Sequence, residues 1–267
     1  MKFLKIVLCL ISSCLVIPTA FAQKSAIQSI EEYRAMLQDG NPADLFEAKG
    51  EDLWKQKRGP KNASLEKCDL GKGAGVVKGA FVELPRYFVD TNKVQDLESR
   101  LLTCMENLQG LNAADIAKTP FGKGEQNNMT ALATWISAES KGMKFNLSQV
   151  HAKEKVSFEV GKRLFFQRAG PHDFSCASCH GQDGTRIRLQ DLPNLTKNPG
   201  DGVGFAAWPA YRVSNGQMWG MQQRLNDCYR QQRFPYPGFG SDATIALSTY
   251  LGVNSKGSAS VAPAIKR

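Results

Sequence analysis

Apolar residues recur at helical spacing in several separated stretches of the chain, and this periodicity predicts a mainly α protein. Residues 25–60 are polar and partly helical, with Ile27, Ile30 and Tyr33 at that spacing. Residues 60–93 are Gly-rich and irregular and end in the aromatic run Leu84-Pro85-Arg86-Tyr87-Phe88. The stretch 94–109 (VQDLESRLLTCMENLQ) predicts an amphipathic helix with Leu97, Leu101, Cys104 and Leu108 on one face. A loop is expected over 118–128 (KTPFGKGEQNN) and a helix over 129–141. The order then starts again. A helix is predicted over 155–168, a Gly- and Pro-rich stretch over 181–215, a helix over 216–231, a turn at PYPGFGSD and a last helix over 243–252.

The two halves can be laid over one another. Arg100-Leu101-Leu102-Thr103-Cys104 answers to Arg224-Leu225-Asn226-Asp227-Cys228, and Leu132-Ala133-Thr134-Trp135-Ile136 to Leu247-Ser248-Thr249-Tyr250-Leu251. This predicts two tandem domains of one fold, 23–148 and 149–267. Cys68 falls where the second half carries Cys176-Ala177-Ser178-Cys179-His180.

Residues 1–22 read as a signal peptide. Lys2 and Lys5 precede an apolar stretch from Ile6 to Ile17, and Ala20-Phe21-Ala22 fits the small-residue cleavage pattern before Gln23. The run is short for a membrane span and is broken by Ser12, Ser13 and Pro18. Ile11-Ser12-Ser13-Cys14 is a looser match to a lipoprotein site. At 42% hydrophobic and 22% charged residues, the composition allows a sizeable core. The formal charge of +9 falls to +7 without Lys2 and Lys5. Scattered basic residues and export point away from nucleic acid and toward acidic partners or small anions.

The cysteines change the picture most. Of seven, Cys9 and Cys14 leave with the signal peptide, so an odd number remains in an oxidising compartment. Cys176-Ala177-Ser178-Cys179-His180 is the spacing of c-type haem attachment. Two thiols add across the vinyl groups, and the next side chain reaches the iron as a proximal imidazole. A zinc site would want a second ligand pair, and a thioredoxin-like site a βαβ setting; neither is present. One covalent haem c is expected.

A second axial ligand can come from Met218, Met221 or Cys228. Met221, Arg224, Leu225 and Cys228 share a helical face. Cys68 and Cys104 can pair in the other half, which leaves Cys228 single. Arg224, Arg230 and Arg233 surround Cys228 in sequence, and cations favour a thiolate. Arg224, one turn before the sulfur, would also hold a small oxyanion. Arg186 and Arg188 are candidates for the haem propionates, and His151 and His172 are further possible ligands. A plain electron-transfer cytochrome with a Met ligand is the alternative to substrate chemistry at Cys228.

The run Arg224-Leu225-Asn226-Asp227-Cys228-Tyr229-Arg230-Gln231-Gln232-Arg233 after a single CxxCH resembles the SoxA subunits of SoxAX cytochromes. So do Gly79-Ala80-Phe81-Val82-Glu83-Leu84-Pro85-Arg86-Tyr87-Phe88 and Leu97-Glu98-Ser99-Arg100-Leu101-Leu102-Thr103-Cys104. The resemblance implies two cytochrome c-like domains and a periplasmic enzyme that couples thiosulfate oxidatively to a carrier cysteine. It also implies a SoxX haem subunit as heterodimer partner, SoxYZ as carrier and a soluble cytochrome c as electron acceptor. Cys228 would be the distal haem ligand, carried as a persulfide, and Arg224 would line the substrate channel. Many members bear a second CxxCH in the first half. Here Cys68 is followed by Asp69-Leu70-Gly71, which implies the single-haem branch with Cys68 and Cys104 joined as a disulfide.

Overall fold

The computed structural model describes residues 40–187, 190–197 and 203–266, with isolated positions at 28, 32, 35 and 36. The signal segment 1–22, the Ile27–Ile30–Tyr33 pattern and Arg188 lie outside the described residues.

Two crossed helix pairs organise the molecule. In the first half, α1 (Ala43–Lys55) crosses α4 (Gly124–Ala138). In the second half, α5 (Ala152–Phe166) crosses α9 (Asp242–Asn254). Each crossing needs a residue without a side chain. A Cβ on Gly50 would collide with the carbonyl oxygen of Ala131, and one on Gly161 with that of Ala246. One turn after each glycine an aromatic ring meets the partner helix: Trp54 against Trp135 at 5.6 Å between centroids, Phe165 against Tyr250 at 5.0 Å.

The likeness continues into the loops at a constant offset. Arg58 bridges Ala63 as Ala169 bridges Phe174. Inside these turns Gly59 and Gly170 have φ of +70° and +73°, and Asn62 and Asp173 have +46° and +47°. These are left-handed positions that glycine, asparagine and aspartate accept at least cost. Carried on, the same offset sets Leu65 against Cys176, Cys68 against Cys179 and Asp69 against His180.

Between the first pair, the hairpin β1 (Arg86–Phe88) and β2 (Lys93–Gln95) leads into α2 (Leu97–Cys104). Asp96 caps α2: its carboxylate accepts from Ser99 N, and the Ser99 hydroxyl accepts from Asp96 N. The helix expected from residue 94 therefore starts three residues later. It ends in a π turn (Met105–Gln109), closed by Gly110 at φ +75°. Leu97, Leu101 and Cys104 are buried as the periodicity predicts. Cys104 is disulfide-bonded to Cys68, with Cα atoms 5.5 Å apart. The loop expected over 118–128 is partly helical. α3 (Ala113–Lys118) ends in it, and α4 already starts at Gly124, its polar first turn burying Gln126 to bond the Ile116 carbonyl.

The second half carries α6 (Cys176–His180), the short hairpin β3 (Arg186–Ile187) and β4 (Gln190–Asp191), α7 (Val203–Ala206) and α8 (Met221–Gln231). β5 (Ala210–Arg212) runs antiparallel to β6 (Gln217–Trp219) and parallel to β7 (Ala264–Lys266). The helix expected from residue 216 thus begins as a strand, and Met218 stands on β6 rather than on the Cys228 helix face.

The halves are tied together by buried polar contacts. Gln222, fully buried at the start of α8, donates from Nε2 to Asp96 Oδ2 at 2.8 Å, and its Oε1 accepts from Gly240 N at 2.7 Å. Gln222 N lies 3.4 Å from Glu98 Oε1. Among the described residues no helix is long and apolar enough to cross a membrane.

Candidate haem site

The attachment helix α6 is built by its own sequence. Ser175 caps it, exchanging bonds with Ser178, so the five residues of the motif form one short helix. Cys176, Cys179 and His180 are half-buried on it. The His180 Nδ1–H donates to the Pro193 carbonyl at 2.9 Å, which leaves Nε2 as the free ligand atom. Burial holds the His180 pKa below its usual value, with the nearby Arg224 charge acting the same way against the Pro193 bond. Burial and the Arg224 charge both favour the neutral imidazole, the form that binds a metal. Burial also pushes the Cys176 thiol up to about 12.

Cys228 lies on α8, half-buried, with its thiol held above the usual value chiefly by burial. Arg224 and Arg212 oppose that shift, and Asp227 and Cys179 add to it. Arg224 favours the thiolate, as expected from the sequence, and burial pushes the other way. Arg230 and Arg233 are exposed on this helix and the turn after it. Metal coordination would draw the thiolate instead.

Arg224 does not stand free above the sulfur. Its Nη1 donates to Asp227 Oδ2 at 3.0 Å, and its guanidinium carbon lies 5.9 Å from the centre of the Trp208 ring. Asp227 is itself buried and also accepts from Arg230 at 2.6 Å and Gln231 at 2.8 Å. Arg224 is nonetheless in electrostatic reach of both His180 and Cys228. Arg212, which sequence reasoning did not single out, joins the same group.

Other candidates fall elsewhere. Met218 and Met221 are buried, Met221 within the hydrophobic core. Arg186 is half-exposed and faces Asp191 at 3.8 Å. His151 caps α5 and stacks on Tyr87 at 3.6 Å, a structural place. His172 is exposed beside Phe174.

A haem brings its own equatorial nitrogens, so the chain needs to supply attachment thiols, axial donors and polar partners for the propionates. Among the described residues no three His, Cys, Asp or Glu side chains converge as a protein-only metal site. The chain offers an imidazole with a free Nε2 and a sulfur instead. Among its buried side-chain atoms without a hydrogen-bond partner in this half are four that can donate, Thr185 Oγ1, Gln190 Nε2, Arg212 Nε and Trp219 Nε1. The residues present fit the group.

A CxxCH helix with a second sulfur in electrostatic reach, on a frame of crossed helices, defines a protein of the cytochrome c class. The family model for the SoxA/TsdA cytochrome c domain matches residues 49–145 and 160–259. The chain is 55% identical to the L-cysteine S-thiosulfotransferase subunit SoxA of Hydrogenophilus thermoluteolus, over 97% of this chain and 96% of that one. A SoxA of Hydrogenobacter thermophilus is 35% identical over 85% and 82%. The crystal structure of SoxXA from P. pantotrophus shares the fold, with a TM-score of 0.73 over 88% of this chain and 84% of the matched chain at 24% identity. The chain belongs to the SoxA family.

Proposed function

We propose that the chain is an L-cysteine S-thiosulfotransferase subunit that couples thiosulfate to a cysteine of a SoxYZ-type carrier. It acts in the periplasm after loss of residues 1–22. Residues 23–148 form a haem-less cytochrome c-like domain, and 149–267 form the domain that holds one haem c. The constant offset between the halves supports this division, since it sets Leu65 and Asp69 where Cys176 and His180 stand. The Cys68–Cys104 disulfide supports an oxidising compartment.

Cys176 and Cys179 would hold the haem as thioethers, and His180 and Cys228 would ligate its iron. When bound, the group supplies an iron for the Cys228 sulfur and a route for electrons. Arg224, anchored on one side by Asp227, turns its remaining donors to thiosulfate, a dianion that a planar guanidinium suits. In the net reaction the carrier S–H bond breaks, and an S–S bond forms to the outer sulfur of thiosulfate. A proton and an electron pair leave, the pair passing to a SoxX-type haem subunit and then to a soluble cytochrome c. Cys228, carried as a persulfide, takes part in forming that bond.

The observation that carries this reading is that His180 and Cys228, from distant parts of the chain, both lie close enough to Arg224 to feel its charge. The test is thiosulfate-dependent turnover with SoxX, SoxYZ and oxidised cytochrome c. Cys228→Met is expected to lower coupling by about 100-fold or more, with one haem per chain retained by pyridine haemochrome assay. Wild-type turnover in that variant would leave a plain electron-transfer cytochrome in its place.

A further inference from the structure

Arg212 and Trp219 form a polar corner that the mechanism above does not use. In the β5–β6 register Arg212 lies opposite Gln217, so Trp219 is its diagonal neighbour on the same face of the sheet. The guanidinium carbon sits 4.9 Å from the centre of the indole ring. This stacking fixes both side chains in one orientation. Arg212 Nε and Trp219 Nε1 are both buried N–H donors, and neither meets an acceptor. An N–H taken out of water without an acceptor is costly, and side-by-side donors of this kind are rare in folded proteins. Arg212 is also close enough to Arg224, Asp227 and Cys228 to interact with their charges, which puts the corner beside the candidate haem site.

We propose that Arg212 and Trp219 hold one propionate of the haem, a proposal that rests on the haem reading above. The shared chemistry is that of an oxyanion, and thiosulfate is the other oxyanion in the system. Buried donors call for a permanent occupant, because a transient substrate would leave them unpaired through most of the cycle. A carboxylate on a covalently fixed group meets that need. Arg212 supplies charge, and the indole supplies a single donor of fixed direction. These are positioning residues. They set where the ring edge lies relative to Cys228 and Arg224.

The test uses the holoprotein with its haem subunit. Haem content by pyridine haemochrome assay comes first, and it checks the haem reading independently of this corner. Resonance Raman spectra of the wild type, Trp219→Phe and Arg212→Lys then report the propionate-bending band, which follows hydrogen bonding to the carboxylate. The expected result is a shift of that band in Trp219→Phe, which keeps the ring and removes only the N–H. A different shift is expected in Arg212→Lys, together with a changed midpoint potential. Deuterium exchange should move the same band in the wild type, and a band indifferent to deuterium overturns the proposal without any variant. An unchanged band in both variants, with thiosulfate KM raised, would assign the corner to substrate instead.

Discussion

Replacing Gln222 by Ala removes a side chain that is fully buried and uses both ends of its amide. Nε2 serves Asp96 in the first half, and Oε1 serves the Gly240 N–H in the turn before α9. Truncation leaves one carboxylate oxygen and one backbone N–H without these partners inside the protein. At about 1–3 kcal/mol for each group left unpaired, the loss should be about 2–6 kcal/mol. Gln222→Met keeps most of the volume and should lose nearly as much, which separates hydrogen bonding from packing. Gln222→Glu should be worse than either, because it sets a third carboxyl beside Asp96 and Glu98. Urea unfolding of the oxidised protein, followed by far-ultraviolet circular dichroism, reads the change as a shift in midpoint at constant slope. A loss below about 1 kcal/mol in Gln222→Ala, or wild-type stability in Gln222→Met, would refute this account of how the halves are joined.

Glu98 is held well above the usual carboxylate value by burial and by the neighbouring Asp96, and Asp96 is raised by its own burial. Such groups bind protons more tightly when folded, so stability should fall as pH rises from their ordinary values toward their raised ones. Glu98→Gln should flatten that fall and stabilise the protein at neutral pH; equal unfolding midpoints for variant and wild type at about pH 5 and about pH 8 would contradict it. The Cys68–Cys104 disulfide closes a loop with a sequence separation of 36. The Cys68→Ser, Cys104→Ser double variant should lose about 3–4 kcal/mol on the chain-entropy model, measured by urea unfolding with and without reductant. A double variant as stable as the oxidised wild type would show that the cross-link does not constrain the unfolded chain.

The parts of the site that were legible in the sequence are those with local spacing. The CxxCH motif, the helix bearing Arg224 and Cys228, and the order of elements in two halves could all be read that way. What stayed hidden depends on partners far along the chain. Strands of three residues, such as Gln217–Trp219, are too short for a period of two to show, so Met218 read as helical. The start of α4 at Gly124 looked like a loop because its first turn is polar; burial of Gln126 against Ile116 is a tertiary event. Asp227 gave no sign of clamping Arg224, since an acid three residues away on a helix is ordinary. The burial of Asp96 and Glu98 contradicts their polarity outright; the cap to Ser99 and the contacts with Gln222 account for it. Gly50 and Gly161 were unremarked until their crossings came into view.

The disulfide of the first half has a consequence for how the second half is made. At the common offset Cys68 stands where Cys179 stands, and Cys104 matches Cys228 in the parallel runs. One backbone frame has therefore brought these two positions to bonding distance in one half, with Cα atoms 5.5 Å apart. In the other half Cys228 is close enough to Cys179 to feel its charge. On the proposed reading, an oxidant that seals the first half would, in a chain without haem, also act on the thiols that attachment needs. On that reading the two halves place opposite demands on the redox state of the compartment during biogenesis.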